Sequence, residues 1–347
     1  MVAQKSMENE DADSANRILG LLLAAFSCVF FAVSSLFVKL LGEIPPQEVV
    51  FFRSLIQLIF LLPPIVYSKA PVLGELHQLP YLFVRALTGS LALCCQFYAF
   101  QHMPLADATV IVFSSPIFTG VLAYFILGES WGLFNFFGTL LCFVGIVMIA
   151  RPTFLFPHGA NGATFSSSSF QQVTATLVAL CGAVLTSIAL ITLRKLKGIS
   201  YLVPPLYVAM AGVILTLAGI LVTGSFQSVQ CGSYHQWLLM IIGLCGIGGQ
   251  TLLTKSLQLE KAGVVALVRT LDIVFAFILQ LVFLDYQANV YSIIGALMVA
   301  GCNILVILNK WCDSPACCKA SAEQRKIVAS EEQQLYNTNF STSLKEK

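Results

Sequence analysis

Long apolar runs separated by short polar stretches recur along the chain from residue 18 to residue 309. Each is about 20 residues long, enough for an α-helix to cross ~30 Å of hydrocarbon. The pattern predicts ten spans, over 18–41, 47–67, 79–101, 105–127, 131–150, 173–194, 201–223, 236–257, 262–284 and 288–309. None alternates polar and apolar positions with a period of two. The predicted fold is therefore an all-α polytopic membrane protein, not a β-barrel. Residues 1–17 are polar and mildly acidic, and the run that follows is longer than a signal-peptide core and has no small-residue cleavage pattern. The first span is expected to stay.

The spans also repeat. QFYAFQHMPLADATVIVFSSPIFTGVLAYFILGES (96–130) has a counterpart in QTLLTKSLQLEKAGVVALVRTLDIVFAFILQLVFLDY (250–286). Both run from a Gln-containing span through a polar connection with Leu-x-x-Ala into a long apolar span, and both end at an acidic residue, Glu129 or Asp285. GTLLCFVGIVMI (138–149) then matches GALMVAGCNILVI (295–307), so the offset is 154 to 157 residues. Five spans precede the repeat, an odd number, which turns the second half upside down. The organisation expected is a cytoplasmic tail (1–17), a five-helix repeat (18–150), a non-cytoplasmic loop (151–172), an inverted five-helix repeat (173–309) and a cytoplasmic tail (310–347). Secondary transporters built this way bind their substrates near the midplane between the halves.

At LADATVIVFSSPIF (105–118) and QLEKAGVVALVRTLDIVFAF (258–277) the chain resembles the EamA type of the drug/metabolite transporter superfamily, and within it the G branch of solute carrier family 35. The resemblance covers about residues 18–310 and implies ten helices in two inverted halves. The bacterial pattern often has a basic residue after the acidic one that closes the fourth span. Here Ser130 follows Glu129, and Tyr286 follows Asp285, which warns against borrowing a substrate from distant relatives.

Composition agrees with a membrane setting: 57% of residues are hydrophobic, 10% are charged and the mean hydropathy is +0.84. The basic residues set the expected orientation. With the N-terminus cytoplasmic, that side collects Lys5, Arg17, Lys69, Arg194, Lys195, Lys197, Lys255, Lys261, Lys310 and those of the C-terminal tail, while the opposite loops keep Arg151. Both termini are therefore expected inside. The membrane itself, plasma membrane or endoplasmic reticulum/Golgi, stays open.

Lys39, Arg53, Arg85 and Arg269 fall within or near span ends. A charge at the centre of a membrane helix costs about 2.5–3.5 kcal/mol, so such residues turn to a wet cavity or a partner. Arg269, Asp272, Ala276 and Gln280 lie on one predicted helix face; Arg85, Gly89, Ala92 and Gln96 repeat that spacing, and Arg53 with Gln57 gives a shorter version. Structural readings stand beside the functional one. Arg269 and Asp272 are spaced to pair for packing alone, Arg53 to pair near Glu48, Arg85 to snorkel, and Lys39 to anchor at the interface.

Taken together, the excess of positive charge points to an anion, since a guanidinium can hold a carboxylate or phosphate through two parallel hydrogen bonds. The expected function is a secondary-active or facilitative carrier of a small organic anion, a carboxylated metabolite before a nucleotide sugar. Arg269 is the expected main ligand, with Asp272 orienting it. Asp272 or Asp107 is the candidate carrier of a coupled proton or ion. A membrane-embedded regulator that binds membrane-protein partners through its tails is the alternative, and a homodimer is a candidate assembly.

Pro116, with Ser114 and Ser115 to satisfy freed carbonyls, predicts a kink in the fourth span. Gly248 and Gly249 in GLCGIGGQ (243–250) are candidate hinges or close-packing positions. The histidines show no metal spacing, and no P-loop, nucleophile elbow or HExxH pattern occurs. No enzyme activity, cofactor, metal or nucleic-acid partner is expected. Cys312, Cys317 and Cys318, just past the last span, form a candidate S-acylation site.

Overall fold

The structure is a computed structural model that describes residues 2–41, 44–69, 71, 77–102, 105–129, 132–150, 169–223, 233–283 and 290–312. Among the described residues it is wholly helical: α1 (Val2–Leu40), α2 (Pro46–Tyr67), α3 (Leu79–His102), α4 (Leu105–Val112), α5 (Ser115–Leu122) running into a π turn (Ala123–Leu127), α6 (Leu133–Ala150), α7 (Ser169–Lys195), α8 (Val203–Thr223), α9 (Ser233–Leu259), α10 (Ala262–Val268), α11 (Leu271–Phe283) and α12 (Val290–Cys312). Ten stretches of the described residues are long and apolar enough to cross a membrane. The fourth is built from α4, α5 and the π turn, and the ninth from α10 and α11.

The chain divides into two compact units. One comprises residues 1–18 and 305–347; among its described residues are the first turns of α1 and the last of α12. The other, Leu19–Ile304, contains every remaining element and all the residues whose contacts are described below.

Within the larger unit the two repeats interleave. α3 of the first half packs on α7 and α8 of the second, and α2 packs on α8 and α9. The same arrangement returns with the halves exchanged: Phe30 and Phe31 of α1 lie against Gly248 and Gly249 of α9, where a Cβ would stand 2.9 and 2.8 Å from ring carbons. The last helices of the halves also cross. Cys302 donates to the Gly138 carbonyl at 3.2 Å, a Cβ on Gly145 would meet Val299 at 2.7 Å, and Ser292 donates to the Ile149 carbonyl at 3.2 Å. Residue numbers rise along α6 as they fall along α12, so these helices are antiparallel, as equivalent helices of inverted halves must be.

Small residues make such contacts close. Ala99, Ala108, Ala175 and Ala179 form one buried cluster between α3, α4 and α7, whereas Leu41, Val49, Leu238, Leu239 and Ile242 fill another where α2 meets α9. Outward positions such as Phe134, Phe137, Leu141 and Val144 of α6 are exposed, as a lipid-facing stripe requires.

Candidate functional site

Both fourth helices of the repeats are broken, and the breaks are equivalent. In the first half the helix stops at Val112 and restarts at Ser115. Pro116 stands in the first turn of α5, just past this two-residue break at the expected kink, where Ser114 stays in the right-handed region, and the missing proline N–H falls where none is needed. Ser114 Oγ donates to the Ile111 carbonyl at 2.6 Å. The Ser115 carbonyl accepts from Thr119 Oγ1 and from Ser187 Oγ of α7, both at 2.9 Å. In the second half the break lies at Arg269 and Thr270, with no proline. There the backbone turns through short i→i−3 bonds: Thr270 N–H to Leu267 O at 2.9 Å, Asp272 N–H to Arg269 O at 3.1 Å and Ile273 N–H to Thr270 O at 3.3 Å. Thr270 Oγ1 donates to the Leu267 carbonyl at 2.8 Å, as Ser114 does 156 residues earlier.

Non-helical backbone at membrane depth survives only when its polar groups are satisfied. Asn303 Nδ2 of α12 donates to Thr270 Oγ1 at 3.0 Å, and the Cys28 thiol of α1 reaches toward the Val268 and Arg269 carbonyls at 3.7 and 3.8 Å. The break is thus held from both sides. Arg269 and Asp272, expected on one face of one continuous helix, stand instead at the joint between two.

Around the joint the structure gathers three arginines. The Arg269 guanidinium lies over the Phe31 ring, 5.5 Å from its centroid, a cation–π contact. Arg53 lays its guanidinium along Gly246, where a Cβ would stand 2.9 Å from Nε. Arg85 folds back over Gly89 of its own helix and donates to Gln250 Oε1 of α9 at 3.1 Å. Gly246, Gly249, which receives Phe31, and Gln250 thus bring all three to one stretch of α9. Arg85 is buried; Arg53, Arg269 and Asp272 are half-buried.

Among the described residues, four polar atoms here have no hydrogen-bond partner: Arg269 Nε, Asp272 Oδ1, Arg85 Nε and Gln57 Nε2. Among the described residues, no ion pair closes between Arg269 and Asp272.

The other expected residues are placed as follows. Gln57 is buried on α2, one turn from Arg53. Gln96 donates to Thr186 Oγ1 of α7 at 3.1 Å, in the α3–α7 seam. Gln280 is half-buried on α11, two turns beyond Asp272. α9 runs unbroken through Gly248 and Gly249, which receive Phe30 and Phe31. The side chains of Lys39, Asp107 and Cys312, and the whole of Cys317 and Cys318, lie outside the described residues.

Comparison with known proteins sets this site in a family. The EamA-like transporter family matches residues 18–151. Mouse solute carrier family 35 member G1 is 37% identical over 294 residues, 84% of this chain and 79% of the relative. The chain belongs to the EamA-like transporter family. Within this EamA-type lineage, the human member G1 is 36% identical over 297 residues, 85% of this chain and 80% of the relative. A pseudopaline exporter, CntI of Pseudomonas aeruginosa strain UCBPP-PA14, is 32% identical over 260 residues, 74% of this chain and 84% of that one. A protein of known crystal structure superposes with a TM-score of 0.69 over 84% of this chain and 97% of its own, at 16% identity, a likeness of fold alone. The protein is therefore an EamA-type multi-pass membrane transporter.

Sequence reading missed Gln250, Phe31, Cys28 and Asn303 as neighbours of the arginines and of the joint. Gln250 carried a usable signal, since it stands at the repeat position of Gln96. Phe31, Cys28 and Asn303 carried none, because apolar and small residues on membrane helices look alike whether they face lipid or a site.

Proposed function

We propose that this transporter carries a small organic anion, a carboxylated metabolite in the first place, by alternating access between its two inverted repeats. The observation that supports the reading is the gathering of Arg53, Arg85 and Arg269 about one stretch of α9, through Gly246, Gln250 and the Phe31 ring seated on Gly249, with bonding capacity left over on Arg269, Arg85 and the neighbouring Asp272. Buried polar groups are ordinarily satisfied, so spare donors on arginines are capacity for a ligand. Phe31 and Gly246 fix two guanidinium groups by contacts that use none of their N–H groups on a permanent acceptor. A bound carboxylate would take those donors.

The relative named a pseudopaline exporter fits the same general activity, movement of a small solute across a membrane. The proposed orientation has both termini cytoplasmic, and Asp272 is the proposed site of a coupled proton. The test is uptake into proteoliposomes of labelled small carboxylates, nucleotide sugars and amino acids, with wild type against Arg269→Ala and Asp272→Ala. Saturable carboxylate uptake that Arg269→Ala abolishes in a folded protein is the expected result. Uptake of nucleotide sugars alone would change the substrate class, and uptake indifferent to Arg269 would overturn the site.

A further inference from the structure

A second polar network, apart from the arginine cluster, joins the two repeats at one end of the bundle. The fourth span finishes in the π turn Ala123–Leu127 and in Gly128, whose φ of 63° suits glycine. The Glu129 N–H closes this turn on the Ala123 carbonyl at 3.3 Å. The turn delivers the Glu129 carboxylate to two elements of the second half. Oε1 accepts from Arg194 Nε at 2.9 Å, and Oε2 accepts from the backbone N–H of Ala262, the first residue of α10, at 3.0 Å. Arg194, in the last turn of α7, also donates to the carbonyls of Leu257 and Gln258 at 2.9 and 3.1 Å, at the end of α9. Gln258 in turn donates to the Ile199 carbonyl at 2.9 Å.

Each charge thus meets a helix end that favours its sign, the carboxylate at an N-terminus and the guanidinium at a C-terminus. Both are largely shielded, with side-chain exposures of 12% for Arg194 and 15% for Glu129. The bonds also sort by half. Those from Arg194 to α9 stay inside the second repeat, whereas both of those to Glu129 cross from the first repeat to the second.

We propose that Glu129 is the latch that holds this end of the carrier shut. The inference rests on the carrier reading above, because alternating access requires the halves to part at each end in turn. Parting here breaks the two bonds of Glu129 and spares those of Arg194 to α9, so the second repeat can move as a body. The latch lies on the side where Arg194, Lys195, Lys197, Lys255 and Lys261 gather, the expected cytoplasmic side.

Hydrogen–deuterium exchange on the full chain in lipid nanodiscs tests it without any substrate. In Glu129→Gln, amides at the end of α7, the end of α9, the start of α10 and the turn at Gly128 should exchange together, about tenfold faster, as one opening. Glu129→Asp, one methylene shorter, should fall between that variant and wild type, and guards against a failure of Glu129→Gln to fold. Arg269→Ala should leave these amides protected while uptake is lost, so the latch and the substrate site fail independently. Faster exchange confined to Ala262, or unchanged exchange, would overturn the latch.

Discussion

Arg194 and Arg269 both turn a guanidinium into the bundle, yet their surroundings differ in kind. Arg194 makes hydrogen bonds to a carboxylate and to two helix-end carbonyls. Arg269 faces the Phe31 ring, and among the described residues its Nε has no partner although Asp272 follows three residues on. A buried charge is tolerated when its bonds are complete, and is costly when they are not. The completed arginine is where the protein is tied together; the incomplete one is where, on the proposed function, a ligand completes it.

That contrast is sharpest when each arginine is removed. Arg194→Ala strands the Glu129 carboxylate and the carbonyls of α9, so we expect about 3–5 kcal/mol of lost stability, read as a lowered midpoint of denaturant or thermal unfolding. Arg269→Ala should do the reverse: little change in that midpoint, and transport efficiency down by about two orders of magnitude in proteoliposome uptake. Equal destabilisation by the two variants would erase the distinction. Next comes Gly249→Ala, whose Cβ would stand 2.8 Å from the Phe31 ring. Displacing that ring should cost about 1–3 kcal/mol of stability and weaken substrate affinity, the latter visible as a raised KM. The smallest effect is expected of Ser114→Ala, which removes the 2.6 Å bond to the Ile111 carbonyl. About 1 kcal/mol should be lost, measured by the same unfolding midpoint, with affinity for the solute kept.

The two regions also differ in how far the sequence displayed them. Ten apolar runs of bilayer length show the number of helices, and the match of 96–130 with 250–286 shows their inverted arrangement, because hydropathy is a local property of each segment. Arg53, Arg85, Arg269 and Asp272 stand out for the same reason, being charges where hydrocarbon is expected. What surrounds them does not stand out. Gly246 and Gly249 accept Arg53 and Phe31 from other helices, which spacing along α9 alone could not distinguish from hinges. The break at Thr270 carries no proline or glycine, and its clue is the alignment of Thr270 with Ser114. Glu129 marked only the end of a span and Arg194 only the charge of a loop. Their pairing spans 65 residues and depends on a π turn and a left-handed glycine that no local pattern announces.

The most direct test of the central claim, that the half-satisfied arginine cluster binds an anion, is ligand-induced thermal stabilisation of the purified protein across matched panels of organic anions, cations and neutral solutes. A ligand that binds the folded state alone raises its melting temperature, by an amount that grows with the logarithm of its concentration above Kd. The account predicts that one or more carboxylates raise the Tm of the wild type and leave Arg269→Gln unmoved, while cations and neutral solutes move neither. Stabilisation by cations or neutral solutes alone, or by carboxylates equally in both proteins, would contradict it.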